Sequence, residues 1–376
     1  MKKKRIPQRK SKLLFIVQLP PPVHGVSMMN KVTVESKLIN REFDCLTLTL
    51  IFNKELKNLG KISISKIFKF ISFYIKLVKV LIRFKPNLVY FTLTPTGPSF
   101  FRDTIIVWLV KLFNTQLVLH LHGKGIKSKT KSSVIQKYIY SKVFHNSHVI
   151  HLSTSLKEDL MYLSKPFFSY VLSNGIKEEV YFEHSNRTEN KKLNILFLSN
   201  LAENKGVYTL LEAARILKEK GLSFKVKFVG KETKSISIAD FNSRVKLLGL
   251  EDLVHYLGPK YDSEKNAILL QADIFAFPTY NDCFPLVLLE AMQAGLPVIS
   301  TFEGSIPDIV QDEETGFIIN YKDAVLLADK LEELIENPIK RKLFGQNAKQ
   351  RFKENYTLNQ YEKQLYAILQ KINGYN

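Results

Sequence analysis

The chain has 376 residues, of which 45% are hydrophobic and 24% are charged, and its formal net charge is +20. This length is ample for two α/β domains with separate cores and is too great for one. The two cysteines, Cys45 and Cys283, exclude a disulfide framework and a cysteine metal cluster, so a reducing, cytoplasmic location is expected. The basic run Met1–Lys12 precedes only a short apolar stretch, a pattern typical of neither a signal peptide nor a membrane span.

The charge is distributed unevenly along the chain. Residues 1–185 contain 30 Lys and Arg against 10 Asp and Glu, whereas residues 186–376 contain 25 of each, so the first half carries the whole net charge. The turn Ser173-Asn174-Gly175 and the polar stretch Glu183–Lys192 lie near this change. We therefore predict a first domain over 1–180, a second domain over 181–355 and a final helix over 356–376.

Short apolar runs alternate with helical patterns in both halves. The strands predicted in the first half are Leu13–Gln18, Cys45–Leu50, Leu88–Thr92, Gln116–His122 and Val149–Ser153. Those predicted in the second half are Leu193–Ser199, Phe224–Val229, Leu253–Leu257, Ile274–Phe277 and Pro297–Ser300. Continuous apolar strands between helices favour parallel sheets covered on both faces. The predicted fold class is α/β, with two Rossmann-like domains facing one another.

A proline-rich loop with one glycine follows the first predicted strand and leads into a helix. It reads Pro20-Pro21-Pro22-Val23-His24-Gly25-Val26-Ser27. Gly25 permits close approach of the backbone to a ligand such as a phosphate. The same loop is also interpretable as a turn that only clears the prolines.

The segment Ile62–Phe84 predicts a basic amphipathic helix. At about 100° per residue, the cations Lys66, Lys69, Lys76, Lys79 and Arg83 fall opposite an apolar arc of Ile67, Ile71, Tyr74, Ile75, Val78, Leu81 and Ile82. The apolar arc can pack on the sheet with the lysines in water, or the lysines can bind anionic lipid, and both can hold together. We expect an anionic membrane surface as a partner of the first domain, and a peripheral position on the inner face of the cell membrane.

Two histidines lie at the end of the strand that leads into Gly123-Lys124-Gly125. His120 and His122 share one face of that strand by alternation, so one of them can be a core histidine. His122 stands at the carboxyl end, where ligands bind in open α/β sheets.

A lysine lies just before a predicted helix in the second half of the chain. Lys205 lies in the loop Ser199–Gly206, just before the helix Val207–Lys220. A cation beside a helix N-terminus is electrostatically misplaced unless an anion lies between them, and free N-terminal amides are a natural phosphate site. The loop therefore predicts a diphosphate ligand, although an exposed lysine before a helix is the simpler alternative.

Two carboxylates, Asp282 and Glu290, lie on either side of Pro285 within the stretch 278–301. Pro285 suits the first turn of a helix that continues to Gln293, and this places Asp282 in the loop and Glu290 within the helix. The amides of Phe284, Leu286 and Val287 should point to the same ligand. The helix is apolar nearly all round, so an unpaired Glu290 would be costly and a partner is expected.

This last stretch resembles the acid-x7-acid signature of the retaining glycosyltransferases of family 4. Four positions depart from that family: Asp282 replaces Glu, Cys283 replaces Gly, Asn200 replaces the usual diphosphate-binding Arg, and Val26 replaces the second glycine of the first loop. The resemblance implies the GT-B architecture, with the final helix crossing back to pack on the first domain.

The resemblance also implies a reaction and a set of roles. A hexosyl unit would pass from a nucleotide diphosphate sugar to an acceptor hydroxyl of a glycan or lipid, with retention at the anomeric carbon. Lys205 and the Gly25 loop would hold the diphosphate, Glu290 the ribose and Tyr261 the border of the base. Asp282 with the following amides, and His122, would bind sugar hydroxyls. No cofactor is expected, and the lack of an Asp-x-Asp pair argues against a metal.

Two other functions fit parts of this pattern. A sugar-nucleotide 2-epimerase shares the architecture and the ribose-binding acid but would need no acceptor. A basic nucleic-acid-binding protein would explain the charged first half, but no recognisable module of that kind is present and the acid pair would have no role. We therefore expect no nucleic acid partner.

Overall fold

The computed structural model describes residues 10–22, 24–50, 64–179 and 192–374. Four features named above fall wholly or partly outside these residues: the basic run Met1–Lys12, Val23, the first residues of Ile62–Phe84, and the polar stretch Glu183–Lys192. The chain divides into two compact units, one formed by Met1–Asn174 with Leu358–Asn376 and the other by Gly175–Thr357.

The first unit contains a six-stranded parallel sheet with the order β2-β1-β3-β4-β5-β6. Its strands are β1 (Lys12–Val17), β2 (Asp44–Thr49), β3 (Leu88–Leu93), β4 (Gln116–Leu121), β5 (His148–His151) and β6 (Phe168–Val171). Its helices up to residue 174 are α1 (Gly25–Glu35), α2 (Lys37–Glu42), α3 (Ile64–Phe84), α4 (Pro98–Lys111), α5 (Ile126–Ser132) and α6 (Val134–Phe144).

The second unit repeats this plan with the strand order β12-β11-β10-β7-β8-β9, again all parallel. Its strands are β7 (Leu193–Leu198), β8 (Phe224–Val229), β9 (Val254–Tyr256), β10 (Ile274–Ala276), β11 (Val298–Thr301) and β12 (Gly316–Ile319). Its helices are α7 (Val207–Glu219), α8 (Ile238–Leu247), α9 (Asp262–Gln271), α10 (Leu286–Gln293), α11 (Ile306–Ile309), α12 (Ala324–Glu336) and α13 (Pro338–Asn355).

The last helix, α14 (Leu358–Asn373), belongs to the first unit. Its Leu365, Leu369 and Ile372 are fully buried in the core on one side of the sheet, together with residues of β1, α1 and α2. The Tyr361 hydroxyl lies 2.6 Å from Thr33 Oγ1 of α1. The core on the other side of the sheet is formed with α3, α4 and α6, so the sheet is covered on both faces.

The predicted fold class is confirmed, and most strand bounds differ by one residue. Two strands were missed. β6 is a half-exposed edge strand with a Phe-Ser-Tyr-Val sequence, and β12 has only four residues beginning with a glycine. Neither provides the continuous apolar run by which the other strands were recognised.

The predicted apolar face of the Ile62–Phe84 helix is wrong in part. The side buried against the sheet is centred on Phe73, Leu77 and Leu81, whereas Ile71, Ile75 and Ile82 are exposed. The cause is that apolar residues cover far more than half of the circumference, so periodicity cannot identify which arc packs. Among the described residues, the structure has no helix with the length and apolar content needed to span a bilayer.

Candidate functional site

Each sheet has one point at which its strand order reverses. In the first unit this switch lies between β1 and β3, and in the second it lies between β7 and β10. Ligands of open α/β sheets bind outside the carboxyl ends of the strands at such a point, because the two following loops diverge there and leave a crevice. The loops that follow these four strands are therefore where a ligand is expected to bind.

In the second unit, the loop after β7 contacts the loop after β10 through an ion pair. Lys205 Nζ lies 2.6 Å from Asp282 Oδ2 and donates to the carbonyl of Asn281 at 2.9 Å. The two side chains are only 22% and 20% exposed. The structure thus brings together, at the switch point, two predicted site residues that are 77 positions apart.

Two glycines with positive φ allow neighbouring segments to pack closely on the loop after β10. Gly206, with φ at +82°, packs on Pro278, and an added Cβ there would lie 2.1 Å from the Pro278 carbonyl oxygen. Gly304, with φ at +56°, packs on the backbone of Asp282, whose carbonyl oxygen would lie 2.5 Å from a Cβ. A side chain at Gly206 would push the loop after β7 away from the loop after β10, and one at Gly304 would do the same to the segment after β11.

Asp282 is held by its own surroundings as well as by Lys205. Its Oδ1 accepts from the Cys283 amide at 2.8 Å, and its own amide donates to Glu303 Oε1 at 3.0 Å. Helix α10 begins at Leu286, with Pro285 as the N-cap, so the prediction that Pro285 occupies the first turn is wrong by one residue. The amides of Leu286 and Val287 still lie in the first turn of the helix, so no preceding turn can supply hydrogen-bond acceptors for them.

Glu290 has a partner that sequence reasoning missed. Its Oε1 accepts from Lys265 Nζ of α9 at 2.7 Å, with both side chains about one quarter exposed or less. Its Oε2 is buried and has no hydrogen-bond partner among the described residues. The expectation that Glu290 is paired is therefore confirmed for one oxygen, and the other remains available to a ligand.

Tyr261 and Asn200 lie at the periphery of this cluster. Tyr261 is the N-cap residue of α9, one turn before Lys265, and its ring is 63% exposed. Asn200 follows β7 and is exposed. Lys265 pairs with Glu290, so Tyr261, one helical turn before Lys265, lies at the same edge as Glu290. Asn200 lies on the loop that leads to Lys205.

In the first unit, a pocket lies at the carboxyl ends of β1, β3 and β4. Gly25 is the first residue of α1, and His24 caps that helix by accepting from the Ser27 amide at 3.3 Å. His24, Thr92, Arg102 and His122 line the pocket with neighbouring residues. The structure thus brings the Gly25 loop and His122 together, and it adds His24 and Arg102, which the sequence analysis did not select.

The two histidines of β4 differ in their surroundings. His120 is fully buried and its Nδ1 is hydrogen-bonded to the Tyr90 hydroxyl, so it is the core histidine of the pair. Burial lowers the pKa of His122 to about 3, which keeps its ring neutral at physiological pH. The buried Nε2 of His122 has no hydrogen-bond partner in the described part of the chain. The uncharged ring can therefore form a hydrogen bond with a ligand, but it is a poor general acid.

A carboxylate fixes the loop that follows His122. Asp159 accepts hydrogen bonds from the amides of Gly125, Ile126 and Lys127 at 2.8–3.1 Å. These amides form the N-terminus of α5, so a residue of the chain itself satisfies the positive end of this helix. Because Asp159 already accepts from these amides, they are not offered to a phosphate.

The second unit is similar to a known protein family. Residues 179–351 match the model of the family described as "Glycosyl transferases group 1". The putative colanic acid biosynthesis glycosyltransferase WcaL of Escherichia coli K12 is 34% identical over 149 residues, which are 37% of this chain and 35% of WcaL. The capsular polysaccharide biosynthesis glycosyltransferase CapM of Staphylococcus aureus is 26% identical over 67% of this chain and 70% of CapM.

Solved structures resemble the chain over almost its whole length. Anabaena HepE, whose structure is in complex with UDP, has a TM-score of 0.74 and 18% identity, over 96% of this chain and 100% of HepE. At this identity the likeness establishes the fold, and it confirms the GT-B class predicted above. Among curated relatives, the chain spans between 35% and 60% of the length of WcaL from two bacteria and of D-inositol 3-phosphate glycosyltransferases from two corynebacteria.

Proposed function

We propose, from the premise that residues 179–351 of this chain belong to the glycosyl transferases group 1 family, that the protein is a retaining glycosyltransferase. It would transfer a hexosyl unit from a nucleotide diphosphate sugar to a hydroxyl group of a glycan or lipid-linked acceptor. The relatives named for colanic acid and capsular polysaccharide biosynthesis support a role in cell-surface polysaccharide synthesis.

One observation carries this proposal. Lys205, Asp282 and Glu290 lie on the loops and helix that follow β7 and β10, the two strands at the switch point of the second sheet. A cation, two carboxylates and the free amides of a helix start match the chemistry of a nucleotide diphosphate sugar, which carries an anion at its centre and hydroxyl groups on both sides.

Lys205 is the residue proposed to hold the diphosphate. When the glycosidic bond breaks, negative charge builds on the departing diphosphate and the sugar ring becomes oxocarbenium-like. A lysine at the start of α7 stabilises that charge more than it stabilises the ground state, because the charge is greatest late in the reaction. The Gly25 loop would contribute backbone amides, and Asn200 supplies no charge where the family has Arg.

Glu290 and Asp282 would bind the hydroxyl groups on either side. The buried, unpartnered Oε2 of Glu290 is an open acceptor position suited to a ribose hydroxyl, and Tyr261 at the same edge would border the base. Asp282 and the amides of Phe284, Leu286 and Val287 would hold the sugar. His122 would hydrogen-bond a sugar hydroxyl through its neutral ring.

The acceptor is proposed to be held at the inner face of the cell membrane. The support is the charge of the first half of the chain, whose +20 would be attracted to anionic lipid at about 1 kcal/mol per cation near the surface. No protein nucleophile and no metal enter the proposed reaction, so turnover should persist in EDTA.

The decisive experiment is a screen of UDP-, GDP- and ADP-sugars for nucleotide release, with and without a membrane extract as acceptor source. Analysis of the product by NMR then reports the anomeric configuration. Release of nucleotide with an α-linked product from an α-linked donor supports the proposal. A new sugar that is still attached to its nucleotide, formed without acceptor, would indicate an epimerase instead.

A further inference from the structure

The outer faces of three neighbouring helices in the first unit carry many exposed apolar side chains. We call this set the outer face; it consists of Phe68, Ile71, Ile75 and Ile82 of α3, Phe101, Ile105, Trp108 and Leu112 of α4 and its C-cap, and Val134, Ile135 and Tyr138 of α6. α3 contacts α4 and α4 contacts α6. Soluble monomers rarely expose apolar patches of this extent without a partner.

On α3 and α4 the exposed residues form stripes. Within each stripe the exposed residues are spaced three, four or seven positions apart, and they fall within about 60° of the helix circumference. Each stripe lies roughly opposite the side chains that the same helix buries in the core, such as Leu77 on α3 and Val107 on α4. The helices are therefore apolar on two sides, and packing on the sheet accounts for only one of them.

The charge around this face is positive. α3 carries Lys69, Lys76, Lys79 and Arg83 on the arc beside its apolar stripe, and α6 carries Lys137 and Lys142. The only carboxylate within α3, α4 and α6 is Asp103, which is fully buried and paired with Arg102 at 2.6 Å. A surface that combines apolar and aromatic side chains with cations and no exposed carboxylate is complementary to an anionic bilayer.

We infer that the outer face is a membrane-docking surface that inserts its apolar stripes into the headgroup region of an anionic phospholipid bilayer while its lysines bind the headgroups. The inference deepens the proposed function, on which it depends for the presence of a membrane-held acceptor. It differs from attraction by charge alone, because insertion requires the side chains of α4, which the sequence analysis did not consider.

The chain offers a direct probe, since Trp108 is its only tryptophan and lies 48% exposed in the middle of the α4 stripe. Vesicles containing phosphatidylglycerol should shift its emission to shorter wavelength, and lipids brominated in their acyl chains should quench it. Vesicles of phosphatidylcholine alone should do neither. Unchanged emission with anionic vesicles would overturn the inference.

Two sets of substitutions separate insertion from attraction. The double variant Phe101→Ser with Ile105→Ser should bind anionic vesicles on the order of tenfold more weakly, because less apolar area leaves water. The triple variant Lys76→Gln, Lys79→Gln and Arg83→Gln should lose on the order of 100-fold, and high salt should mimic it. The matched control is Ile339→Ser with Leu343→Ser, two apolar residues of α13 in the second unit that are at least as exposed as Phe101 and Ile105.

Sedimentation of the free protein tests a second copy of the chain as the occupant. A dimer that shields Trp108 and is lost in the Phe101 and Ile105 double variant would overturn the inference. So would equal vesicle binding by this double variant and its control. Vesicle binding is measured without donor, so a failure of the proposed glycosyl transfer, seen as no nucleotide release, is a separate result.

Discussion

Replacing Lys205 by methionine tests the diphosphate site most directly. In the free protein the lysine pairs with Asp282 at 2.6 Å, and both groups are about one fifth exposed. Two unit charges about 4 Å apart interact by roughly 4 kcal/mol at an effective dielectric constant of 20. Partial exposure reduces this value, so we expect Lys205→Met to weaken UDP binding by about 2–3 kcal/mol, which is roughly 30- to 150-fold.

Part of that loss should come from the carboxylate left behind. Without Lys205, Asp282 faces the diphosphate as an unneutralised charge, so adding Asp282→Asn to Lys205→Met should recover about tenfold of the lost affinity. UDP is the appropriate ligand because it lacks the sugar that Asp282 is proposed to hold. If UDP does not bind the wild type, GDP and ADP take its place.

Isothermal titration of the four proteins in this cycle provides the measurement. Lys220→Met is the control, because Lys220 lies beyond the other end of α7, about 20 Å away, and is also paired with carboxylates. Affinity that is the same in Lys205→Met and wild type, or an equal loss in Lys220→Met, would refute the reasoning.

Three further outcomes follow from the structure. Glu290→Gln should abolish any preference of the protein for UDP over 2′-deoxy-UDP, measured by titration. Gly206→Ala should lower the melting temperature and nucleotide affinity by more than Gly221→Ala, because both glycines have positive φ but an added Cβ would clash with backbone only at Gly206. Acid should destabilise the first unit: burial lowers the pKa of His122 to about 3 and that of His151 to about 4, so the unfolded state binds more protons below pH 6.5. The free energy of unfolding should therefore decrease as the pH falls from 6.5 towards these values, by at most about 5 kcal/mol for His122. Trp108 emission monitors this unfolding.

The central strands and the loops after them could be predicted from the sequence, because each depends on local pattern. A buried parallel strand is a continuous apolar run, and Lys205 and Asp282 follow such runs directly. Their pairing was not predicted, because it depends on β10 lying next to β7 rather than next to β9. The family resemblance placed both residues at the donor site without giving the strand order.

Other features could not be predicted because they depend on contacts between distant segments. Lys265 pairs with Glu290 across 25 positions, and no local motif distinguishes it from the other exposed lysines. The buried side of α3 was likewise misassigned, because apolar residues occupy both its core-facing arc, centred on Leu77, and its exposed arc, centred on Ile75. Arg102 lines the pocket of the first unit because the neighbouring Asp103 anchors it, a contact that only the folded chain reveals.

The position of α14 has a consequence for how the protein is made. Tyr361, Leu365 and Leu369 complete a core whose other members include Phe15 and Tyr90. While the ribosome is still translating the second unit, that side of the first sheet has no helix from residues 358–373 to cover it. The nascent chain must therefore carry an unfinished apolar surface through the synthesis of more than 180 intervening residues. The half translated first is thus among the last to reach its native state, and a fragment that stops at residue 174 should aggregate.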